Sequence, residues 1–275
     1  MSLLTAPDEA IPLSQMFSLG GKVCLITGGN RGIGLAVAQG YAEAGAAAIA
    51  IIHSSEKTAE LAQQRAQELQ LKYPATTAKA YKADVAQAEE IEVVTKQVFA
   101  DFGRLDVVVV NAGVYTDTKA LEMEPQEAQH ITGVNYFGAL YTAQAAARIM
   151  KSHGGGGKII FTASINGHMV LRPQRESIYC ATKAAVCHLT RALAVEWAEY
   201  NIQVNSVSPG YIDTEMNDIM IQKYPDQVKN WLGDCPAGRF CKVWELKGVY
   251  VFLASMASSY VTGSDYLVDG GHTCH

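Results

Sequence analysis

The chain has 275 residues, of which 49% are hydrophobic and 18% are charged, and its formal net charge at pH 7 is -5. This length and composition are those of one large α/β domain or two smaller ones, and they exclude an intrinsically disordered chain. Lys and Arg are scattered along the sequence, so it has no basic patch of the kind that binds nucleic acid.

The N-terminal segment carries no Lys or Arg, and Pro7 and Pro12 interrupt its apolar residues. We therefore expect residues 1–20 to form an N-terminal arm and not a signal or transit peptide. No apolar run approaches the roughly 18 residues of a membrane span, so we expect no membrane partner and a cytoplasmic location. The six cysteines form no C-x-x-C pair and no zinc-like spacing with histidine, which predicts reduced thiols.

Seven short runs rich in apolar and β-branched residues are predicted to be strands. They lie at 22–27, 47–52, 78–83, 105–110, 158–163, 202–207 and 265–268. Segments of helical period fall between them, at 32–44, 56–72, 87–102, 125–151 and 177–199. This alternation predicts a single doubly wound, Rossmann-type α/β domain over residues 21–275, with a seven-stranded parallel sheet and helices on both faces. The longest segment without a predicted strand lies between about residues 208 and 264, and it is predicted to carry a substrate lid near residues 212–240.

A glycine-rich turn, T-G-x-x-x-G-x-G, follows the first predicted strand directly, at residues 27–34. A helical pattern begins at once behind it, so free backbone N–H groups and the positive end of a helix dipole meet at the turn. Because glycines let a pyrophosphate approach the backbone closely, the turn predicts a dinucleotide site. The predicted contact residues there are Gly28, Asn30, Arg31, Gly32, Ile33 and Gly34.

The end of the second strand indicates which dinucleotide to expect. NAD sites usually have an Asp or Glu about 20 residues past the glycines. Here the positions are His53, Ser54 and Ser55, which offer hydrogen bonds but no carboxylate to repel a 2′-phosphate. Arg31 adds positive charge inside the turn. We therefore predict NADP(H) as the cofactor; the alternative is that Glu56 serves as the acidic residue and Arg31 is only solvated.

Tyr179 and Lys183 lie four positions apart in a predicted helix for which Ser177 is the expected N-cap. At that spacing the two Cβ atoms are about 5 to 6 Å apart. Bringing the pKa of a phenol from near 10 to neutrality requires about 4 kcal/mol. One cation about 4 Å away supplies about that energy at an effective dielectric constant near 20. The pair can be the acid and the tuning cation of an active site, but Y-x-x-x-K also occurs by chance in many helices.

In their order and spacing, the motifs together resemble the short-chain dehydrogenase/reductase family, from about residue 20 onward. They are the glycine turn, "NAG" at 111–113, Asn135, Ser164, Tyr179 with Lys183, and "PG" at 209–210. Further stretches, such as "TASINGH" and "VNSVSPGYIDT", look most like the fungal NADP-dependent mannitol dehydrogenase and sorbose reductase branch of that family.

The resemblance implies a role for each matching residue. Tyr179 would exchange a proton with the substrate, and Ser164 would hold the substrate oxygen. Lys183 would lower the pKa of the tyrosine and bind the nicotinamide ribose, and Asn135 would anchor a water of a proton relay. Further implied cofactor contacts are Asp84, Val85, Asn111, Ala112, Gly113, Pro209, Gly210, Ile212 and Thr214. A homotetramer is also implied. No metal is required, so His168 is expected to pack or to line the pocket.

The expected substrate is a ketone or a secondary alcohol, either a ketose/polyol pair or a bulkier secondary-metabolite ketone. Arg172 and Arg175 depart from the neutral composition expected of a polyol enzyme. The lid candidate carries large apolar residues that would suit a larger ketone, or would simply pack an amphipathic helix: Met216, Ile219, Met220 and Trp231. The alternative function is a catalytically idle relative that binds NADP(H) as a sensor or scaffold.

Overall fold

The computed structural model describes residues 10–214, 221 and 225–274. The strands in chain order are β1 (Val23–Thr27), β2 (Ala48–His53), β3 (Thr77–Lys82), β4 (Val107–Val110), β5 (Gly157–Thr162), β6 (Ile202–Pro209), β7 (Ile212–Asp213), β8 (Cys241–Lys242) and β9 (Asp265–Val268). Seven of them form one parallel sheet in the order β3-β2-β1-β4-β5-β6-β9, and β7 pairs separately with β8.

Helices connect the strands. The α-helices are α1 (Leu13–Met16), α2 (Gly32–Glu43), α3 (Ala59–Lys72), α4 (Ala88–Phe102), α5 (Pro125–Thr132), α6 (Gly138–Ser152), α7 (Ser177–Glu196), α8 (Pro225–Gly233) and α9 (Lys247–Ala254). A π-helical turn, Gly133–Phe137, joins α5 to α6. Short 3₁₀ turns lie at Glu56–Thr58, Ile165–Gly167, Ala198–Tyr200, Val243–Leu246, Met256–Ser258 and His272–Cys274.

The four valines of β4 show how the sheet is covered on both faces. Val108 and Val110 belong to a core formed with α4, α6 and α7, whereas Val107 and Val109 belong to a core formed with α2, α3 and α9. All four are at most 5% exposed, because successive strand residues point to opposite faces and each face is covered by helices. The predicted α/β fold with seven parallel strands is confirmed.

The strand order places a crevice at the centre of the sheet. β1 pairs with β2 on one side and with β4 on the other, so the connections that leave the carboxyl ends of β1 and β4 run in opposite directions. In doubly wound sheets, ligands bind in the crevice that opens at such a point. The loops that follow the carboxyl ends of β1, β4, β5 and β6 are therefore the candidates to line this crevice.

Two predicted segments are described only in part. In the N-terminal arm, residues 1–9 lie outside the described residues, while Leu19 is fully buried and Gly20 forms a bridge to Ala46. In the predicted lid, Met216, Ile219 and Met220 lie outside the described residues. The extent of both segments stays a prediction. Within the described part of the chain, no helix has both the length and the hydropathy needed to cross a bilayer.

Candidate active site

The glycine-rich turn follows β1 and leads directly into α2. Gly28 and Gly32 have φ angles of +64° and +51°, a conformation that side-chain-bearing residues rarely adopt. A Cβ atom on Gly34 would lie 2.3 Å from the carbonyl oxygen of Gly28, so this position has no room for any side chain. Asn30 is buried, and Ile33 packs against the core. The turn thus brings bare backbone to the N-terminus of α2, which is the arrangement that accepts a pyrophosphate.

A buried threonine ties this turn to the loop after β4. The Thr27 hydroxyl accepts hydrogen bonds from the backbone N–H groups of Asn111 (2.9 Å) and Ala112 (3.0 Å). The Asn111 amide donates to the carbonyl of Thr27 at 3.0 Å, and its oxygen accepts from Thr162 at 3.2 Å. Asn111 and Ala112 therefore join the carboxyl ends of β1, β4 and β5, and place the "NAG" turn beside the glycine turn.

The residues after β2 form a small polar cluster. His53 is 6% exposed, and its Nδ1 atom lies 3.1 Å from the carbonyl oxygen of Ser55, while Ser54 is exposed. The carboxylate of Glu56 is engaged by the Lys82 ammonium at 2.7 Å. A carboxylate already paired in this way is poorly placed to bind ribose hydroxyls, so the geometry favours the 2′-phosphate of NADP(H) here.

The remaining predicted cofactor contacts lie along the same edge of the sheet. The Asp84 carboxylate accepts from the N–H of Ala86 at 3.0 Å, and Val85 packs against α6. A Cβ on Gly113 would lie 3.7 Å from the Lys183 ammonium, and one on Gly32 would lie 3.8 Å from the Thr214 methyl group. Pro209 ends β6, Gly210 packs against Asp269, and Ile212 is buried in β7.

The four predicted catalytic residues come from three segments, because Tyr179 and Lys183 share α7. The Ser164 hydroxyl, after β5, is hydrogen-bonded to the Tyr179 hydroxyl on α7. Lys183 is 5% exposed, donates to the carbonyl oxygen of Thr162 at 2.8 Å, and has its Nζ 5.6 Å from the centroid of the Tyr179 ring. Ser164, Tyr179 and Lys183 therefore lie together beside the carboxyl end of β5.

Asn135 lies in the π-helical turn between α5 and α6. Its Oδ1 accepts from the N–H of Val114 at 2.8 Å, and its Nδ2 donates to the carbonyl of Val114 at 2.9 Å and to Thr182 at 3.4 Å. π-Turns often occur at functional sites because they displace backbone groups from the regular helical pattern. Here the turn lets one amide clamp the loop after β4 against α7.

The titration of the pair differs from the expectation. Burial raises the pKa of Tyr179 well above its ordinary value; the hydrogen bond with Ser164 lowers it, and the charge of Glu176 raises it again. Burial also lowers the pKa of Lys183 to about 8. The protein groups by themselves thus do not produce the lowered tyrosine pKa predicted from Lys183. The largest cause in both cases is that the charged form loses hydration in the interior, which raises the pKa of the tyrosine and lowers that of the lysine.

The sequence analysis missed a buried carboxyl group near Tyr179, that of Glu176. Glu176 is 7% exposed, and it, not the expected Ser177, is the N-cap residue of α7. Its carboxylate accepts hydrogen bonds from the Asn166 amide and from Tyr115. The spacing of three from Tyr179 was the only available signal, and a Glu near a helix start is more often solvated. We therefore add Glu176, Asn166 and Tyr115 to the candidate site.

The two arginines between Ser164 and Tyr179 lie at the surface. Arg172 and Arg175 are exposed, so they give no support for a pocket suited to larger ketones. Gln174 instead donates to the Tyr211 hydroxyl at 3.1 Å, and the Tyr211 ring stacks on Trp231 at 5.5 Å. Trp231 is thus a packed residue, 3% exposed.

His168 lies in a cluster near the outer strand of the sheet. Its Nε2 is 2.7 Å from the Asp265 carboxylate and 3.6 Å from the Cys187 sulfur. Among the described residues, these three bring one possible ligand atom each to within 4.8 Å of one another, which is a spacing that could hold a metal ion. Ser206 and Ser208 also donate to Asp265, so the carboxylate is satisfied within the protein. That the chain needs no metal stays a prediction.

Comparison with known proteins gives matches over nearly the whole chain. The family described as enoyl-(acyl carrier protein) reductase matches residues 28–273. A sorbose reductase of Schizosaccharomyces pombe is 44% identical and covers 94% of this chain and 99% of its own length. An NADP-dependent mannitol dehydrogenase of Hypocrea jecorina is 40% identical and covers 95% of this chain and 96% of its own length. The crystal structure of a short-chain type dehydrogenase/reductase from Mycobacterium marinum is similar with a TM-score of 0.86 and 44% identity, covering 95% and 99% of the two chains.

Proposed function

The chain belongs to the short-chain dehydrogenase/reductase family, and we propose that it interconverts a ketose and a polyol, with Tyr179 as the proton donor and acceptor. It is an NADP-dependent oxidoreductase that acts on a CH–OH or C=O group. The observation that carries the proposal is the hydrogen bond between Ser164 and Tyr179, with Lys183 beneath the tyrosine ring. Two hydroxyl groups at one point can hold and protonate a carbonyl oxygen.

The cofactor site fits NADP(H). Gly34, at the start of α2, has no room for a side chain, and the carboxylate of the segment after β2, that of Glu56, is paired with Lys82. When bound, the cofactor supplies or accepts the hydride. The residues that would hold it are Gly28, Asn30, Arg31, Gly32, Ile33, Gly34, His53, Ser54, Ser55, Asp84, Val85, Asn111, Ala112, Gly113, Tyr179, Lys183, Pro209, Gly210, Ile212 and Thr214.

In reduction, Tyr179 gives its proton to the substrate oxygen while Ser164 orients that oxygen; in oxidation, the tyrosine takes the proton back. Because burial raises the pKa of Tyr179, the tyrosine is protonated near neutral pH, which is the form that a proton donor needs. Lys183 faces the tyrosine ring and, through Thr162, is held at the end of β5. Asn135 fixes the loop after β4 against α7, and in this proposal it also anchors the water through which Lys183 regains a proton.

A ketose or polyol is favoured over a bulkier ketone because the groups around Tyr179 are polar. Glu176, Asn166 and Tyr115 surround the tyrosine, and they offer hydrogen-bond partners to a polyhydroxylated chain. The relatives named sorbose reductase and mannitol dehydrogenase agree with this choice. An apolar ketone would remove water from these polar groups without offering them a hydrogen bond, which is unfavourable.

The test is NADPH oxidation with a panel of ketoses and bulky ketones, using the wild-type protein and Tyr179→Phe. We expect ketose turnover by the wild type and a loss of about 10²- to 10⁴-fold in kcat in Tyr179→Phe with NADPH affinity retained. The matched control is Tyr260→Phe, because Tyr260 is 99% exposed. Turnover that survives Tyr179→Phe would contradict the proposed acid, and no turnover on any compound would favour the idle cofactor binder.

We also propose that the protein forms a homotetramer, and light scattering would test this.

A further inference from the structure

Glu176 is a buried carboxyl group one helical turn before Tyr179. Its backbone carbonyl accepts the N–H of Cys180 at 2.8 Å, which is the first hydrogen bond of α7. Residues three apart in a helical turn are neighbours on its surface. The side chain is 7% exposed, so its charge acts on Tyr179 with little screening by water.

Two other segments fix this carboxyl group in place. Asn166 donates its side-chain N–H to Glu176, and its backbone N–H donates to the Ser164 hydroxyl at 3.2 Å. Tyr115 is hydrogen-bonded to Glu176, and its ring packs edge-on against the Tyr179 ring at 5.8 Å. Both partners of the carboxyl group therefore also contact the Ser164–Tyr179 pair.

The ionisable groups that face Tyr179 come from three elements. Glu176 caps α7, which carries Cys180 and Lys183, and Tyr115 in the loop after β4 packs against the Tyr179 ring. Asp117 in the same loop and Tyr211 after β6 interact with the Glu176 charge. Burial raises the pKa of Glu176 to about 7, with the hydrogen bond from Tyr115 acting against it and the charge of Asp117 adding to it. The Glu176 charge raises the pKa of both Tyr179 and Tyr211. Of these six groups, only Lys183 can carry a positive charge and so oppose the effect of the Glu176 carboxylate.

We propose that Glu176 is a positioning residue that acts through Tyr179, because its fixed carboxylate holds the tyrosine in the protonated form that a ketone reduction requires. The inference rests on the proposed function of Tyr179. In reduction, the O–H bond of Tyr179 breaks and the proton passes to the substrate oxygen as the hydride reaches the carbonyl carbon. In oxidation, the phenolate must take that proton from the alcohol. A negative charge at Glu176 disfavours the phenolate, so oxidation becomes fast only at higher pH.

The test is the pH dependence of kcat/KM in both directions. Oxidation is measured with mannitol and NADP⁺, and reduction is measured with sorbose and NADPH. Glu176→Gln removes the charge but keeps groups that can pair with Asn166 and Tyr115. We expect the acid limb of oxidation and the alkaline limb of reduction to move together to lower pH, by about 0.5 to 2 units. Glu176→Asp keeps the charge and shortens the side chain, and its midpoint should stay close to that of the wild type. A merely structural role predicts the opposite, with Glu176→Asp the more disturbed variant.

The control is Glu43→Gln, which removes the same charge at the far end of α2, about 18 Å from the glycine turn; its midpoint should equal that of the wild type. If Glu176→Gln does not fold, Glu176→Met also removes the charge and must show the same shift. If the wild type is active and a folded Glu176→Gln or Glu176→Met variant has the same pH midpoint as the wild type, this inference is wrong, whereas the proposed function stands. If the wild type turns over neither mannitol nor sorbose nor any ketone of the panel, the proposed function fails, and this inference with it.

Discussion

The ammonium of Lys183 lies 5.6 Å from the centroid of the Tyr179 ring, and the same ammonium donates to the carbonyl oxygen of Thr162 at 2.8 Å. The lysine is 5% exposed, and burial lowers its pKa to about 8. The charged form of Lys183 is therefore kept in the interior at a cost in stability.

This cost predicts a pH-dependent stability difference between the wild type and Lys183→Met. The folded-state pKa of about 8 lies below the ordinary 10.5, so the unfolded chain binds more protons between these values and wild-type stability gains with rising pH there. Relative to the wild type, Lys183→Met should be most stable below pH 8, by at most about 3 kcal/mol, and should lose this advantage towards pH 10.5. Denaturant unfolding at pH 7 and pH 10 measures the difference.

The control for this prediction is Lys96→Met, since the Lys96 side chain is 68% exposed. Its stability relative to the wild type should not change between the two pH values. The same pH dependence in Lys183→Met and in the wild type would contradict the prediction. Loss of turnover in Lys183→Met is expected in addition, because the charge beside Tyr179 is removed.

Thr27→Val should destabilise the protein although the two side chains have nearly the same shape. The hydroxyl accepts from two backbone N–H groups, those of Asn111 and Ala112, and each unpaired donor costs about 1 to 3 kcal/mol. We expect a loss of about 2 to 4 kcal/mol in the free energy of unfolding, together with weaker NADPH binding. Thr27→Ser keeps the acceptor and serves as the matched control. Equal stability of the Val and Ser variants would show that these bonds contribute nothing.

Gly34→Ala should weaken cofactor binding even though alanine is the better helix former. Alanine favours a helix over glycine by about 1 kcal/mol, but its Cβ would lie 2.3 Å from the Gly28 carbonyl oxygen, so the turn must shift. We expect the Kd for NADPH, measured by fluorescence titration, to rise about tenfold or more. Gly248→Ala on α9 is the control, because no atom lies within 4 Å of its Cβ. Unchanged affinity in Gly34→Ala would argue against this turn as the pyrophosphate site.

Arg31→Ala should separate the two dinucleotides. A charge-assisted bond to the 2′-phosphate is worth about 1.5 to 3 kcal/mol, so the Kd for NADPH should rise about 10- to 100-fold while the Kd for NADH stays nearly unchanged. Arg65→Ala, at an exposed ion pair on α3, should alter neither value. Equal weakening of NADPH and NADH would place Arg31 on a group that both cofactors share.

Patterns along single elements predicted the fold well. Each of the seven predicted strands overlaps a strand of the sheet, because apolar runs of that length bounded by turns bury themselves on both faces. The predicted helix at 125–151 is instead divided by the π-turn at Gly133–Phe137. An apolar period does not reveal a shift in hydrogen-bond pattern, since the side chains keep nearly the same faces.

The candidate site was predictable only where its residues belong to local motifs. The glycine turn and the spacing of Tyr179 and Lys183 are local, so the structure places them as the helix and strand periods require. The two arginines before Tyr179 were misleading, because composition alone does not tell which side chains of a loop face outward. Glu176 was missed for the related reason that its partners, Asn166 and Tyr115, come from other segments.

The amino-acid pattern alone was sufficient for the doubly wound sheet, the glycine-rich turn before α2 and the proximity of Tyr179 to Lys183, because each depends on periodicity or spacing within a short segment. The direction in which the pKa of Tyr179 shifts followed only from the folded chain. That direction depends first on the burial of Tyr179, and then on the hydrogen bond with Ser164 and the charge of Glu176. These effects result from segments that meet only in the folded chain, and Asn166 and Tyr115, which bind Glu176, belong to two of them.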